Sequence, residues 1–271
     1  MQLKSKLGLA TIVAASVLSL ATESKAISLT GWTGSGNFGT SGADGVVTLS
    51  PFGDSQYGFV STSGGVEGVG LPDVGGDGNP TTGSVVNSPL FSAAVGDSLE
   101  FFFNYVTSDG AGFADYAWAR LLDDMANEVA LLFTARTTPG GDTVPGFSMP
   151  TPTATLAPAS TPIIPVAPVW SALGSDSGSC FNGVGNGCGY TDWVKASFTI
   201  AAAGNYSLQF GVVNWNDTAF QSGLAFDGAT IAGTPITPSE PIPTPALLPG
   251  LIGMGVAVLR KRGNEDEVTE A

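Results

Sequence analysis

Apolar and polar residues alternate with a two-residue period along much of this chain, and that period locates its strands. The clearest run is Ser98 to Val106. Leu99, Phe101, Phe103 and Tyr105 share one face, while Ser98, Glu100, Phe102 and Asn104 share the other. This predicts a sandwich strand with one face in the core and Phe102 on a half-wet side. Pro89 to Val95 forms a strand before it, ending in a turn at Gly96-Asp97. Tyr57, Phe59 and Ser61 alternate with Gly58 and Val60 in the same way. Asp115–Asp123 and Asn127–Arg136 can be read as helix on composition. The alternation of Tyr116, Trp118 and Arg120 with Ala117, Ala119 and Leu121 favours a hairpin turning at Asp123-Asp124. Trp193–Ile200, Tyr206–Val213 and Leu224–Ile231 complete the set, and Gly204-Asn205 predicts a tight antiparallel turn.

Between these runs lie breakers. Gly64 to Pro89 is rich in glycine and polar residues, too polar for a core. Thr137 to Leu173 carries prolines at 139, 145, 150, 152, 158, 162, 165 and 168, which excludes a central strand. It is either a long ordered loop or a stiff linker, and Trp170 suggests that its end packs down. The expected fold is all-β: an antiparallel β-sandwich, jelly-roll-like, over residues 27–234, with long Gly/Pro-rich loops.

Composition narrows the function. The 271 residues include 9 Lys+Arg against 23 Asp+Glu, a formal net charge of −14. Between Ile27 and Pro245 the cations are Arg120, Arg136 and Lys195. Such a surface lacks the basic footprint that phosphate binding needs, so nucleic acid is not an expected partner. There is no histidine, which removes the commonest general base and the usual zinc ligand. Catalysis would have to rest on carboxylates such as Glu100, Asp115, Asp123, Asp124 and Asp227. Nothing in their spacing selects a pair, and the chain is not expected to be an enzyme.

Three stretches carry candidate chemistry. Asn214, Trp215, Asn216 and Asp217 place an aromatic ring beside amides and a carboxylate between two predicted strands, the groups a sugar-binding loop uses; a core anchor with a capped turn is the competing reading. Asp73, Asp77 and Asn79 offer loosely spaced oxygens for a structural calcium, although the spacing does not match the twelve-residue calcium loop and a solvated loop is the favoured reading. Cys180 and Cys188 are the two cysteines. In an exported chain they are expected to pair around a short glycine loop.

The two ends read as sorting signals. Residues 1–26 have a basic start at Lys4 and Lys6, an apolar stretch from Leu7 to Leu20 and small residues before Ile27, the pattern of a secretory signal peptide. Residues 235–245 form a Pro-rich spacer. An apolar run, Ala246 to Leu259, and the basic cluster Arg260, Lys261 and Arg262 follow, together residues 246–262, and then an acidic tail, 263–271. The apolar run is shorter than the ~20 residues that span a bilayer comfortably. A transient membrane association is therefore expected, with the basic cluster held on the cytoplasmic side.

The motif Pro243-Thr244-Pro245-Ala246, the glycine-studded run and the Arg-Lys-Arg end resemble the PEP-CTERM class of bacterial sorting tails in its PTPA variant. The resemblance covers about the last tenth of the chain, and the acidic tail departs from the usual pattern. It implies an exosortase-type processing enzyme as partner and a destination in the cell envelope, at the cell surface or outside it. A weaker resemblance covers about forty residues. There a Ser-Gly turn is followed by a strand bearing Phe226-Asp227, similar to the end of the β-sandwich domains that many such proteins carry. Together these imply an exported envelope or matrix protein with a structural or adhesive role. A non-catalytic carbohydrate-binding module for extracellular polysaccharide, stabilised by calcium, is the alternative.

Overall fold

The structure is a computed structural model describing residues 25–138, 140–236 and 240–241. Residues 1–24 and 242–271 lie outside the described residues. They include most of the expected signal peptide, the motif at Pro243, Thr244, Pro245 and Ala246, the apolar run, and Arg260, Lys261 and Arg262. Among the described residues, no helix is long and apolar enough to cross a membrane.

Thirteen strands carry the architecture. In chain order the first seven are β1 (Thr33–Ser35), β2 (Asn37–Ser41), β3 (Tyr57–Ser61), β4 (Val66–Glu67), β5 (Pro80–Asn87), β6 (Phe91–Ala93) and β7 (Ser98–Thr107). The other six are β8 (Tyr116–Asp123), β9 (Glu128–Arg136), β10 (Thr155–Ala157), β11 (Val194–Thr199), β12 (Gly204–Trp215) and β13 (Ser222–Ile231). Among the described residues they form two main antiparallel sheets. A seven-stranded sheet runs β9-β8-β12-β5-β1, with β4 beside β5 and β6 beside β12. A nine-stranded sheet runs β10-β11-β7-β13-β3-β2, widened by short pieces at 164–165, 189–190 and 234–235. The fold is an all-β sandwich, and among the described residues no closed barrel forms.

The inner faces meet in an aromatic core, because each long strand keeps its two-residue alternation. From the nine-stranded sheet come Leu99, Phe101, Phe103, Tyr105, Leu224 and Phe226; from the other come Ala119, Leu121, Phe133, Leu208, Phe210 and Val212. Phe103 stacks on Phe133 at 3.7 Å and Phe210 on Phe226 at 4.1 Å between ring centroids. Phe101, 1% exposed, alternates with half-buried Phe102, as the sequence predicts. The β8–β9 hairpin also forms. Asp123 closes its turn by accepting the amides of Met125 and Asn127.

Both outer faces are partly covered. The end of the proline-rich segment folds onto the nine-stranded sheet, where Trp170 and Leu173 pack with Val47, Tyr57, Val106 and Ala225. Trp170 Nε1 donates to the Tyr57 hydroxyl at 2.9 Å. Further back the same segment supplies β10, which pairs with β11. On the seven-stranded sheet, Val69 and Leu71 lie over Tyr116, Trp118, Leu131, Val213 and Trp215.

The expected tight turn at Gly204-Asn205 does not form. Both residues already belong to β12, paired with Ala93 and Ser92 of β6, while β11 lies in the opposite sheet. The connection is an arch over 200–203 that buries Ile200 between the sheets. Burial of that side chain, rather than turn chemistry, decides where the chain reverses. The turn at Gly96-Asp97 makes the same crossing from β6 to β7.

Candidate functional site

The two loops singled out in the sequence meet, but not as open binding loops. Trp215 is the last residue of β12 and is 3% exposed. Its indole Nε1 donates to the Asp77 carbonyl at 3.0 Å, and the Asn79 amide donates to Asn216 Oδ1 at 3.2 Å. Arg136, itself 1% exposed, lies 4.5 Å from the Trp215 ring and 4.6 Å from that of Phe147. It donates from Nη1 to the Gly75 carbonyl at 2.5 Å and from Nε to the Ala114 carbonyl at 3.0 Å. Trp215 therefore anchors the 73–80 segment to the sheet, which corrects its placement on a ligand-facing loop. Asn214 is buried and points between the sheets; Asn216, at φ +73, and Asp217 make the turn that follows. Asp73, Asp77 and Asn79 are exposed. The fixed contact of Asp77 is its backbone carbonyl under Trp215, which makes this stretch a strap over the core. Among the described residues no group of three or more His, Cys, Asp or Glu side chains is placed to hold a metal.

The carboxylates are dispersed. Glu100 pairs with Lys195 at 2.9 Å, Asp123 caps its turn, Asp124 is exposed, and Asp227 sits on the outer face of β13. Asp115 instead belongs to a polar layer that closes one end of the sandwich, where inward-facing positions change from apolar to polar. Asp115 Oδ1 accepts the Trp215 amide at 2.8 Å and Oδ2 accepts the Ser222 hydroxyl at 2.6 Å. Thr107 Oγ1 lies 2.7 Å from Ser222 Oγ and accepts the Asp109 amide at 3.0 Å. Burial holds the Asp115 carboxyl well above the ordinary carboxylate range, and the neighbouring Asp109 charge adds to this. Burial likewise pushes Asp109 up to about 8, against the opposing hydrogen bond from Gly110. Cys180 and Cys188 are joined nearby. Their loop places Phe181 on Phe113 at 5.2 Å and on Phe220 at 5.3 Å.

A different surface carries a polar row in which Thr33 is exposed, Arg120 and Asn87 are half-buried and Gln209 is 7% exposed. On the outer face of the seven-stranded sheet, Arg120, Gln209, Asn87 and Thr33 stand in register across β8, β12, β5 and β1. Gln209 Oε1 accepts Arg120 Nε at 2.6 Å and Trp118 Nε1 at 3.3 Å, and its Nε2 donates to Asn87 Oδ1 at 2.8 Å. Arg120 also reaches Glu128 at 3.5 Å. These bonds orient the planar groups and leave guanidinium and amide hydrogens over. Glycine shapes the floor: a Cβ on Gly211 would come within 2.2 Å of the Trp118 ring, so the indole lies across the bare backbone. One cleft adjoins the row at Arg120 and Gln209, and a second lies beyond it. The first, of about 230 Å³, is lined by Glu67, Val85, Trp118, Arg120 and Gln209. The other, of about 420 Å³, shares Glu67 and Gly68 with it and continues to Pro80, Thr82 and Thr218. The sequence reading missed this site, although the outward positions of these strands were its signal.

No protein-family model matches the sequence, and a search of curated proteins found no match. Among solved structures the chain is similar to the enzymatically active domain of tailspike protein 4 from bacteriophage CBA120, at 13% identity and a TM-score of 0.33. The alignment covers 75% of this chain but only 19% of that one, so the chain spans about a fifth of its length. The match, to an enzymatically active domain, does not uphold the expectation, drawn from the missing histidine, that the chain is not an enzyme. At this similarity it carries no argument for a substrate, a reaction or a site.

Proposed function

We propose that this is an exported cell-envelope or extracellular-matrix protein with an adhesive role, and that it contacts polysaccharide on the outer face of the seven-stranded sheet. The observation that supports the contact is the in-register row of Arg120, Gln209, Asn87 and Thr33, with a cleft at its Arg120–Gln209 end. Three inter-strand spacings of ~4.8 Å make the row ~14 Å long. An extended polar chain crossing it would meet planar donors and acceptors already held in place, which lowers the ordering entropy of binding. The net charge of −14 disfavours polyanions and points to a neutral glycan. Support for export comes from the resemblance of both chain ends to sorting signals, with an exosortase-type enzyme as the processing partner.

Binding of the mature chain to purified neutral and acidic polysaccharides tests the contact. Arg120→Ala removes one charged donor from the row and is expected to weaken binding about fivefold or more, a loss of ~1 kcal/mol or above. Affinity unchanged by Arg120→Ala would reject the sheet face. Affinity for none of the glycans would reject the adhesive contact altogether. Intact mass of the protein from membrane, envelope and medium fractions tests sorting. A product beginning at Ile27 and lacking the apolar run is expected outside the inner membrane, and a membrane-held product retaining Leu259 would reject processing.

A further inference from the structure

The last long strand breaks step beside an acidic residue. β13 pairs Asp227 with Phe102 of β7, and its next aligned pair is Thr230 with Glu100, so the ladder shifts between them. Such a bulge re-aims the neighbouring side chain. Gly228 sits in it at φ +64, where other residues are strained. A Cβ there would come within 2.6 Å of the Phe52 ring, which lies over the bulge as a cover.

Beneath that cover is a cavity of about 10 Å³ lined by Asp54, Asp227, Phe52, Gly228 and Ala229. This is room for one water molecule or one ion. The two carboxylates are 6% and 1% exposed, and the charge of Asp54 faces Asp227. The Ser50 hydroxyl donates to Asp227 Oδ2. Asp227 Oδ1 is buried without a hydrogen-bond partner. Facing anions, an open carboxylate oxygen and a volume of one small sphere together describe a hard cation's surroundings. The rest of the lining, Ile27, Phe52, Ala229 and Pro235, is apolar, but the volume is too small for an apolar ligand, and an anion would be repelled by the two carboxylates.

We propose that Asp54 and Asp227 hold one divalent, oxygen-preferring cation of the calcium class, which ties the loop at 50–54 to the bulge of β13. Calcium takes six to eight oxygens, so backbone carbonyls and water complete a shell to which the protein gives two carboxylates. The site is separate from the Asp73–Asn79 strap and independent of the polysaccharide contact.

Calorimetric titration of calcium chloride into the chelator-stripped full chain, with thermal unfolding in calcium and in EDTA, tests this. One equivalent is expected to bind. At a hundredfold excess over Kd the unfolding midpoint should rise by roughly 5–10 °C. Asp227→Asn and Asp54→Asn should each abolish the rise, and Asp77→Asn should keep it. If Asp227→Asn fails to fold, Asp54→Asn and the wild-type titration still decide the matter. No heat and no shift in the wild type would overturn the proposal and assign the cavity to water. So would a rise that survives Asp54→Asn, or one lost in Asp77→Asn.

Discussion

Gly211 shows how one absent methyl group shapes the outer sheet face. The Trp118 indole occupies the space its Cβ would take, and the ring's Nε1 is thereby brought to Gln209. Gly211→Ala should push the indole off the strand and cost about 1–3 kcal/mol, the usual range for overpacking. Chemical denaturation would read this as a lower midpoint, and an unchanged midpoint would mean that the ring is free to move aside. Trp215 is the contrasting case. Its neighbours Asn214, Asn216 and Asp217 give it the composition of a sugar-binding loop, but its side chain falls on the covered side of β12. The sequence holds both possibilities because composition does not say which segment folds over a strand end. What decides it is the 73–80 strap, fixed by Arg136 some sixty residues further along the chain.

Among the elements, most long strands were legible, but β5 was not. Pro80–Asn87 lies within the stretch read as too polar for a core, while its Val86 is buried between the sheets. Apart from the β8–β9 hairpin, the pairings were not legible either. The alternation marks the buried and half-buried faces of β7 from Ser98 to Phe103, beyond which Asn104 is buried too, and the hairpin at Asp123 announces itself through its acidic turn. Gly204-Asn205 misleads because turn propensity is local, whereas the reversal there is set by burying Ile200 between two sheets. The Arg120–Gln209–Asn87 row was illegible for a related reason: its members come from three strands, and only the register aligns them. The cysteine loop was readable from its spacing and its pairing is found. A loop of this length is expected to contribute ~2–3 kcal/mol by restricting the unfolded chain. Replacing Cys180 and Cys188 together with serine should lower the unfolding free energy by that amount. A loss near zero would mean that the Phe113, Phe181 and Phe220 contacts hold the loop unaided.

At the scale of the whole molecule, the acidic end makes stability depend on pH in an unusual direction. Asp109 titrates at about 8 in the folded protein, against 3.8 as an ordinary aspartate. Between these values the native state holds a proton that the unfolded chain has released, so stability falls as pH rises through this interval. The contribution is complete below about 4 and gone above about 8, and Asp115 shifts in the same direction. The melting temperature should be several degrees lower at pH 9 than at pH 6, and Asp109→Asn should flatten that decline. A profile that rises across this range would contradict the buried acid pair.

The strand order has a consequence for how the molecule comes into being. β13, near the end of the domain, lies between β7 and β3 in the nine-stranded sheet. Until residue 231 is available, two early strands have no neighbour on their facing edges, and the sheet exists only as separate halves. A chain emerging N-terminus first from a ribosome or a translocation pore must therefore remain open almost to its end. Closure is then a single late event between distant segments, the slow kind of β assembly. For the export proposed above, this order would let nearly all of the chain cross a narrow pore before its sheet could close.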